Sequence, residues 1–359
     1  MSTENPDSAA RYVPDWKPYD THAGPLPRGL LFVGDPHICQ RRPGRRTDED
    51  FASVALDKLE QSVRKANDLD LLAVLLGDLF QSPRDATPWL FSRLFEILAQ
   101  AKYRPITNLG NHDKVETRLT EDCSLWALAC SGAIHVMHTE DTRACLVRLD
   151  DGPVALLGVP YGVEVPHEID SPCTPERTVL VTHEDFDFGG AYPGAKSLHP
   201  VTGASLLVNG HMHDTKPAEQ RGATLCLNPG NILRQSVDMR HHLPAVWSWR
   251  PGEAPLAHPL SVRPPSEVFD LTGLQVIAAG VEAVAAEMVD PDSLFAQMLA
   301  NEAPLDQGRT QDGAFLEEEI AAVLRENAVE PAAPVAIILR TMMQQALDES
   351  GDEGMSPRG

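Results

Sequence analysis

Five short stretches of this 359-residue chain carry side chains suited to polar chemistry, and each closes an apolar run. In chain order they are Asp35-Pro36-His37, Gly77-Asp78, Gly110-Asn111-His112-Asp113, His183 and Gly210-His211-Met212-His213. Carboxylate, amide and imidazole groups are costly to bury without partners, so a set repeated at strand ends calls for a common purpose. Asp35 and His37 alternate about Pro36, and His211 and His213 about Met212, so each pair can point to one side of an extended chain. Mixed oxygen and nitrogen donors of this kind suit a divalent metal of borderline hardness. Taken singly, the ordinary readings remain: a turn aspartate, a capped turn before a helix, a histidine satisfied by one hydrogen bond.

The elements that must position these groups read as alternating strands and helices. Residues 29–33, 69–76 and 103–107 are short apolar runs of the kind buried on both faces of a layered sheet. Between them, apolar spacing predicts a helix from the Thr47 N-cap through Phe51, Val54, Ala55, Leu59 and Val63, and a second over 88–101. Further short strands are expected at 134–137, 145–149, 154–159, 178–182, 205–208, 224–227 and 245–249, without crossover helices in the first part of that stretch. Ligand sites of open α/β sheets lie at such strand ends.

Composition bounds the function. The net charge of −22 excludes a protein that coats nucleic acid through a general positive field. Residues 267–359 hold 18 acidic and 4 basic side chains, so most of the excess sits there, and the first 266 residues carry only −8. Nucleic acid as a substrate is therefore still open. Arg41, Arg42, Arg45 and Arg46 cluster in a Pro/Gly loop after Asp35-x-His37, suited either to holding phosphate or to solubility. Six cysteines without paired spacing read as reduced thiols of a cytoplasmic protein, and no run is long enough to cross a bilayer.

The same pass gives the domain plan: a mobile arm over 1–28, a catalytic domain over 29–250, a Pro-rich linker over 251–266, an acidic helical region over 267–347 and a disordered tail over 348–359. The last predicted helix, 333–347, carries an apolar stripe that either folds onto its own domain or receives a partner.

The five clusters, complete and in order over about residues 29–250, resemble the calcineurin-like metallophosphoesterase superfamily; G-N-H-D together with G-H-x-H is the most specific part. The resemblance implies an α/β fold, a layered β-sandwich flanked by helices with a C-terminal helical appendage here. It also implies two divalent ions, manganese before iron or zinc, that neutralise a phosphoryl group and activate water. By the family pattern Asp35, His37 and His213 would hold one ion, Asn111, His183 and His211 the other, and Asp78 would bridge. His112 would protonate the departing oxygen, with Asp113 either orienting it or capping a helix.

Within the superfamily, Gly77-Asp78-Leu79-Phe80 and Asn228-Pro229-Gly230-Asn231-Ile232-Leu233-Arg234-Gln235-Ser236 are similar to the SbcD-type exonucleases of DNA repair and recombination. Asn231 stands where that branch has serine, and Gln81 where many members have histidine. The resemblance implies DNA as substrate and an SbcC-type ATPase, or self-association, at the C-terminal helices. A phosphodiesterase of small nucleotides or other phosphoesters is the alternative, and a metal-free scaffold the remote third.

Overall fold

The computed structural model describes residues 12–19, 25–84, 86–115, 118–137, 144–189 and 195–272, all within one unit spanning Met1–Glu302. In chain order the strands and longer helices are β1 (Trp16–Tyr19), β2 (Leu30–Val33), α1 (Phe51–Asp68), β3 (Leu72–Leu75), α2 (Pro88–Ala99), β4 (Ile106–Thr107), α3 (Ser124–Cys130) and β5 (His135–Val136). There follow β6 (Ala144–Leu149), β7 (Gly152–Val159), β8 (Thr178–His183), β9 (Phe186–Asp187), β10 (Lys196–Ser197), β11 (Leu206–Gly210), β12 (Lys216–Arg221), β13 (Thr224–Asn228), β14 (Ala245–Trp249), β15 (Leu256–Pro259) and the single-turn α4 (Pro265–Val268).

Two large sheets result. One has the order β15-β14-β2-β3-β4-β5, parallel from β2 to β5; the other runs β1-β6-β7-β8-β11-β13-β12 and mixes parallel and antiparallel pairs. The two-residue side-chain period of β2 shows how they stack. Leu30 and Phe32 pack with Val154, Leu156, Val179 and Val208 between the sheets, whereas Leu31 and Val33 pack with Ala55, Leu59, Leu94 and Ile97 on the helical side. A third apolar layer, including Leu157, Leu180, Leu207 and Phe186, covers the outer face of the second sheet. A mixed α/β fold of layered sheets flanked by helices is thus the observed class.

The boundaries of several expected elements move. Helix α1 starts at Phe51, because Asp50 and not Thr47 is the N-cap: its carboxylate accepts from Ser53 N and Ser53 Oγ. Trp16–Tyr19, expected in a mobile arm, pairs in parallel with β6 as an edge strand. The stretch expected as linker contains β15, which pairs with β14, and the chain then returns over α1, with Thr47 N donating to Val268 O and Asp270 N to Arg45 O. Polar, Pro-rich sequence hid both edges, since an edge strand needs only one apolar face. The helices expected at 274–288, 292–300, 314–327 and 333–347, and the tail at 348–359, lie outside the described residues.

Candidate active site

Every sequence-selected donor follows a strand at the same end of the two sheets. Asp35 and His37 follow β2, Asp78 follows β3 and Asn111 and His112 follow β4, all from the first sheet; His183 closes β8, and His211 and His213 follow β11, from the second. Neighbouring loops are locked together by backbone pairing, with His37 N donating to Asp78 O and Ile38 N to Leu79 O. Across the sheets, the buried Asn108 amide donates to Val159 O and Val181 O. Within the second sheet, Asn209, one residue before Gly210, ties β11 to the end of β8: its Oδ1 accepts from Thr182 Oγ1 and Glu184 N, and its Nδ2 donates to Glu184 O. His183 and His211 are thereby fixed to each other through their chain neighbours.

The packing leaves no room for side chains at two turns. A methyl group on Gly110 would meet Asp78 Oδ1 at 1.8 Å, and one on Gly77, where φ is +118°, would meet His183 Nδ1 at 2.6 Å. His37, Asp78 and His211 have φ of 44°, 48° and 72°, the left-handed region that non-glycine residues seldom occupy. Three of the four such residues among those described are therefore candidate donors. Strain concentrated this way marks a functional constellation.

The seven donors converge. His37 Nε2 lies 3.0 Å from His213 Nε2 and 3.7 Å from Asp78 Oδ2. His183 Nε2 lies 3.1 Å from Asp78 Oδ2, and His183 Nδ1 lies 4.0 Å from Asp35 Oδ1. Asn111 Oδ1 is 3.1 Å from His211 Nδ1, and His211 N donates to Asp35 Oδ2 at 2.7 Å. One donor atom each from Asp35, His37 and His213 gathers within 4.8 Å, as does one each from Asp78, His183 and His211, so each trio could hold a metal ion. Asp78 also joins a trio with His37 and His112, which places it between the two groups.

The electrostatics fit a cation site. Asp35 Oδ1, Asp78 Oδ2 and His183 Nε2 are buried with no hydrogen-bond partner of acceptable geometry. Such atoms are expensive unless something else compensates them. Burial raises the Asp35 pKa and pushes His37 down to about 3. Burial likewise opposes charge on Asp78 and His183, but their mutual attraction overrides it, holding Asp78 well below the usual carboxylate range and His183 up at about 10. Two buried carboxylates ringed by imidazoles are what a divalent cation would neutralise.

His112 and Asp113 depart from the expected pairing. His112 Nδ1 sits 2.6 Å from the Gln81 carbonyl oxygen, and its backbone N–H donates to Asp78 Oδ1 at 2.8 Å. Asp113 is buried among backbone donors, accepting from Asp78 N at 2.7 Å, Leu79 N at 2.9 Å and Gly110 N at 3.1 Å. Asp113 therefore neither orients the His112 ring nor caps a helix; it shapes the turn that presents Asp78. Carbonyl partners are invisible in sequence, so Gln81 could not have been found from its residue type.

The arginine loop also resolves differently. Arg46 is buried, paired with Asp48 at 2.6 Å, donating to Arg234 O and lying over the Phe51 and Phe269 rings. Arg45 donates to Asp270 O and Thr272 O, and Arg42 to Asp48 O. Arg45 and Arg46 are tied into the junction between the loop and residues 267–272, which corrects their reading as phosphate holders, whereas Arg42 stays exposed and bonds within the loop. Arg41 is exposed in the same loop, and its carbonyl accepts from the Cys39 thiol.

Comparison with known proteins follows the same line. The sequence model described as calcineurin-like phosphoesterase matches residues 29–215, just over half of the chain and all seven donors. No curated protein matches the chain in sequence. Among solved structures, a 5'-nucleotidase precursor from Thermus thermophilus is similar at 14% identity with a TM-score of 0.40, covering 72% of this chain and 59% of that one. The chain thus spans about three-fifths of that relative's length. A hypothetical protein from the same organism is similar at 13% identity with a TM-score of 0.36, covering 65% of this chain and 99% of its own.

Proposed function

Because the chain belongs to the calcineurin-like phosphoesterase family, a family of metal-dependent phosphoester hydrolases, we propose that it is a phosphodiester hydrolase of the SbcD-like nuclease type. One observation carries the hydrolase reading: oxygen and nitrogen donors from two sheets meet, with buried Asp35 Oδ1, Asp78 Oδ2 and His183 Nε2 left without a hydrogen-bond partner. Asp35, His37 and His213 would hold one divalent ion, Asn111, His183 and His211 a second, with Asp78 shared. Donors of this type without thiolate favour manganese, with iron or zinc as substitutes. A bound metal pair would supply charge neutralisation on the phosphoryl oxygens and activation of water.

The chain's own residues do the rest. His112 Nδ1–H donates to the Gln81 carbonyl, which leaves the Nε2–H to face substrate and be given to the leaving oxygen. Asp113, by gripping the turn from Asp78 to Phe80, fixes the carboxylate against which His112 is registered. The G-D-L-F and N-P-G-N-I-L-R-Q-S segments support DNA as substrate; Gln81, directly after the first, accepts from Gln235 Nε2 of the second at 3.1 Å. The 267–347 region is then the place for an SbcC-type ATPase or a second copy, in a cytoplasmic protein. No helix among the described residues is long and apolar enough to cross a membrane.

A second reading, hydrolysis of small phosphodiesters, is favoured by one feature: Arg45 and Arg46 are engaged elsewhere and leave the cleft with fewer cations for a polyanion. Purified protein is tested on linear DNA, bis-p-nitrophenyl phosphate and cyclic nucleotides, each with manganese, magnesium or EDTA. DNA degradation abolished by EDTA is the expected result. Turnover of the small esters alone selects the second reading, and no turnover of any ester overturns both.

A further inference from the structure

Three imidazoles of the centre have an identified partner on the nitrogen away from it, and the partners differ in kind. His183 Nδ1 meets the Leu76 carbonyl at 2.9 Å and His112 Nδ1 the Gln81 carbonyl at 2.6 Å. His211 is held instead by a carboxylate, with its Nε2 3.1 Å from Asp185 Oδ2 while its Nδ1 faces Asn111 Oδ1. We infer that Asp185 is a positioning residue for the second metal: it accepts the Nε2–H of His211, fixes the tautomer with Nδ1 free to ligate, and strengthens that nitrogen as a donor. This inference rests on the two-metal reading above.

Several independent features support it. A ligating histidine characteristically donates its other N–H to a carboxylate or carbonyl, and removal of that partner typically costs about 10–100-fold in metal affinity. His211 has φ of 72°, so its backbone does not by itself favour the pose that the ring adopts. Asp185 is well anchored, since it lies between β8 and β9, its N–H donates to Glu184 Oε1 and its carbonyl accepts from Lys196 N at 2.8 Å. Glu184 is itself paired with Lys196 Nζ and tied to Asn209, the residue preceding Gly210. The carboxylate and the imidazole that it holds are therefore mounted on the same buried bracket. Tyr161 closes one side of the His211 ring, with centroids 5.0 Å apart, and the Asp185 bond fixes the ring's rotation at its Nε2 edge.

Calorimetric titration of metal-stripped full-length protein with Mn2+ separates the two binding events, and thermal melts of the stripped forms report folding. Asp185→Ala is expected to leave the melting temperature of the stripped protein and one of the two events unchanged, while weakening the other about 10–100-fold. Asp185→Asn, which keeps a hydrogen-bond acceptor but no charge, should fall between. Unchanged affinity for both ions in Asp185→Ala overturns the inference, and so does equal weakening of both ions or a fall in the stripped melting temperature, which would make the residue structural. Wild-type protein that binds no Mn2+ overturns the metal reading itself, a different failure from either.

Discussion

The ring of His112 and the carboxylate of Asp113, neighbours in sequence, hold different partners: the ring leans on the Gln81 carbonyl, and the carboxylate grips the backbone of Asp78 and Leu79. Their substitutions should therefore separate. His112→Ala removes a proton donor while leaving the Asp35–His37–His213 and Asp78–His183–His211 trios intact, so metal content is retained and kcat falls by about 10²–10⁴-fold. Asp113→Asn should instead lower stability by about 1–3 kcal/mol, because an amide cannot accept from all these buried N–H groups. Its residual activity should keep the wild-type pH profile. A shifted acid limb in Asp113→Asn would show that the carboxylate governs the His112 proton after all.

Gly110→Ala tests the closeness of the turn. The added methyl would lie 1.8 Å from Asp78 Oδ1 and 2.7 Å from Asp78 N, both fixed by other bonds. The loop must shift, and the shared carboxylate shifts with it. A displacement near 1 Å at a reacting centre costs about 10²-fold. A folded Gly110→Ala protein with that loss and weakened Mn2+ binding is expected by circular dichroism, calorimetry and assay; full activity would show that the turn is looser than it looks.

Metal removal should be felt as stability as well as activity. Ions that bind only the folded state add about 2.7 kcal/mol per site at a hundredfold excess over Kd, a shift of about 5 °C or more in a domain of this size. EDTA should lower Tm by that order and Mn2+ should restore it. Asp78→Ala, which takes one donor from both trios that it joins, should lose both the Mn2+-dependent shift and turnover. A Tm indifferent to EDTA and Mn2+ in wild type is the contrary outcome.

What was legible in the sequence followed from short-range physics. Leu30–Val33 and Leu72–Leu75 read as doubly buried strands because every position is apolar, and the groups beyond them had to be satisfied by one another. What was not legible depends on contacts across the chain. Asp185 carried no signal of its own because its partner lies 26 positions away. Asn209 and Asn108 passed as flanks of the motifs, though their amides join strands of distant sequence. Arg46 showed only charge; that it is buried against Asp48 under Phe269 depends on the chain returning over α1 from far along the sequence. Edge strands such as Trp16–Tyr19, with one wet face, carry too weak a pattern to stand out from a polar arm.

Away from the metal site, His135 gives a pH dependence with a definite sign. Burial first, and then the nearby Arg104, push its pKa down to about 4, and its ring lies against Tyr19 with Nε2 3.3 Å from Cys145 Sγ. A histidine lowered below its unfolded value of about 6.5 is neutral in the fold, so its contribution is complete above about pH 6.5 and is lost as pH falls toward about 4. With the partial exposure of the group discounted, the loss is about 2 kcal/mol. Phe in place of His135 cannot take up a proton in either state and keeps a ring against Tyr19. Urea denaturation of EDTA-treated protein should show wild type losing about 2 kcal/mol more than His135→Phe between about pH 7.5 and about pH 4.5. Parallel losses in the two proteins would assign the acid sensitivity to other groups.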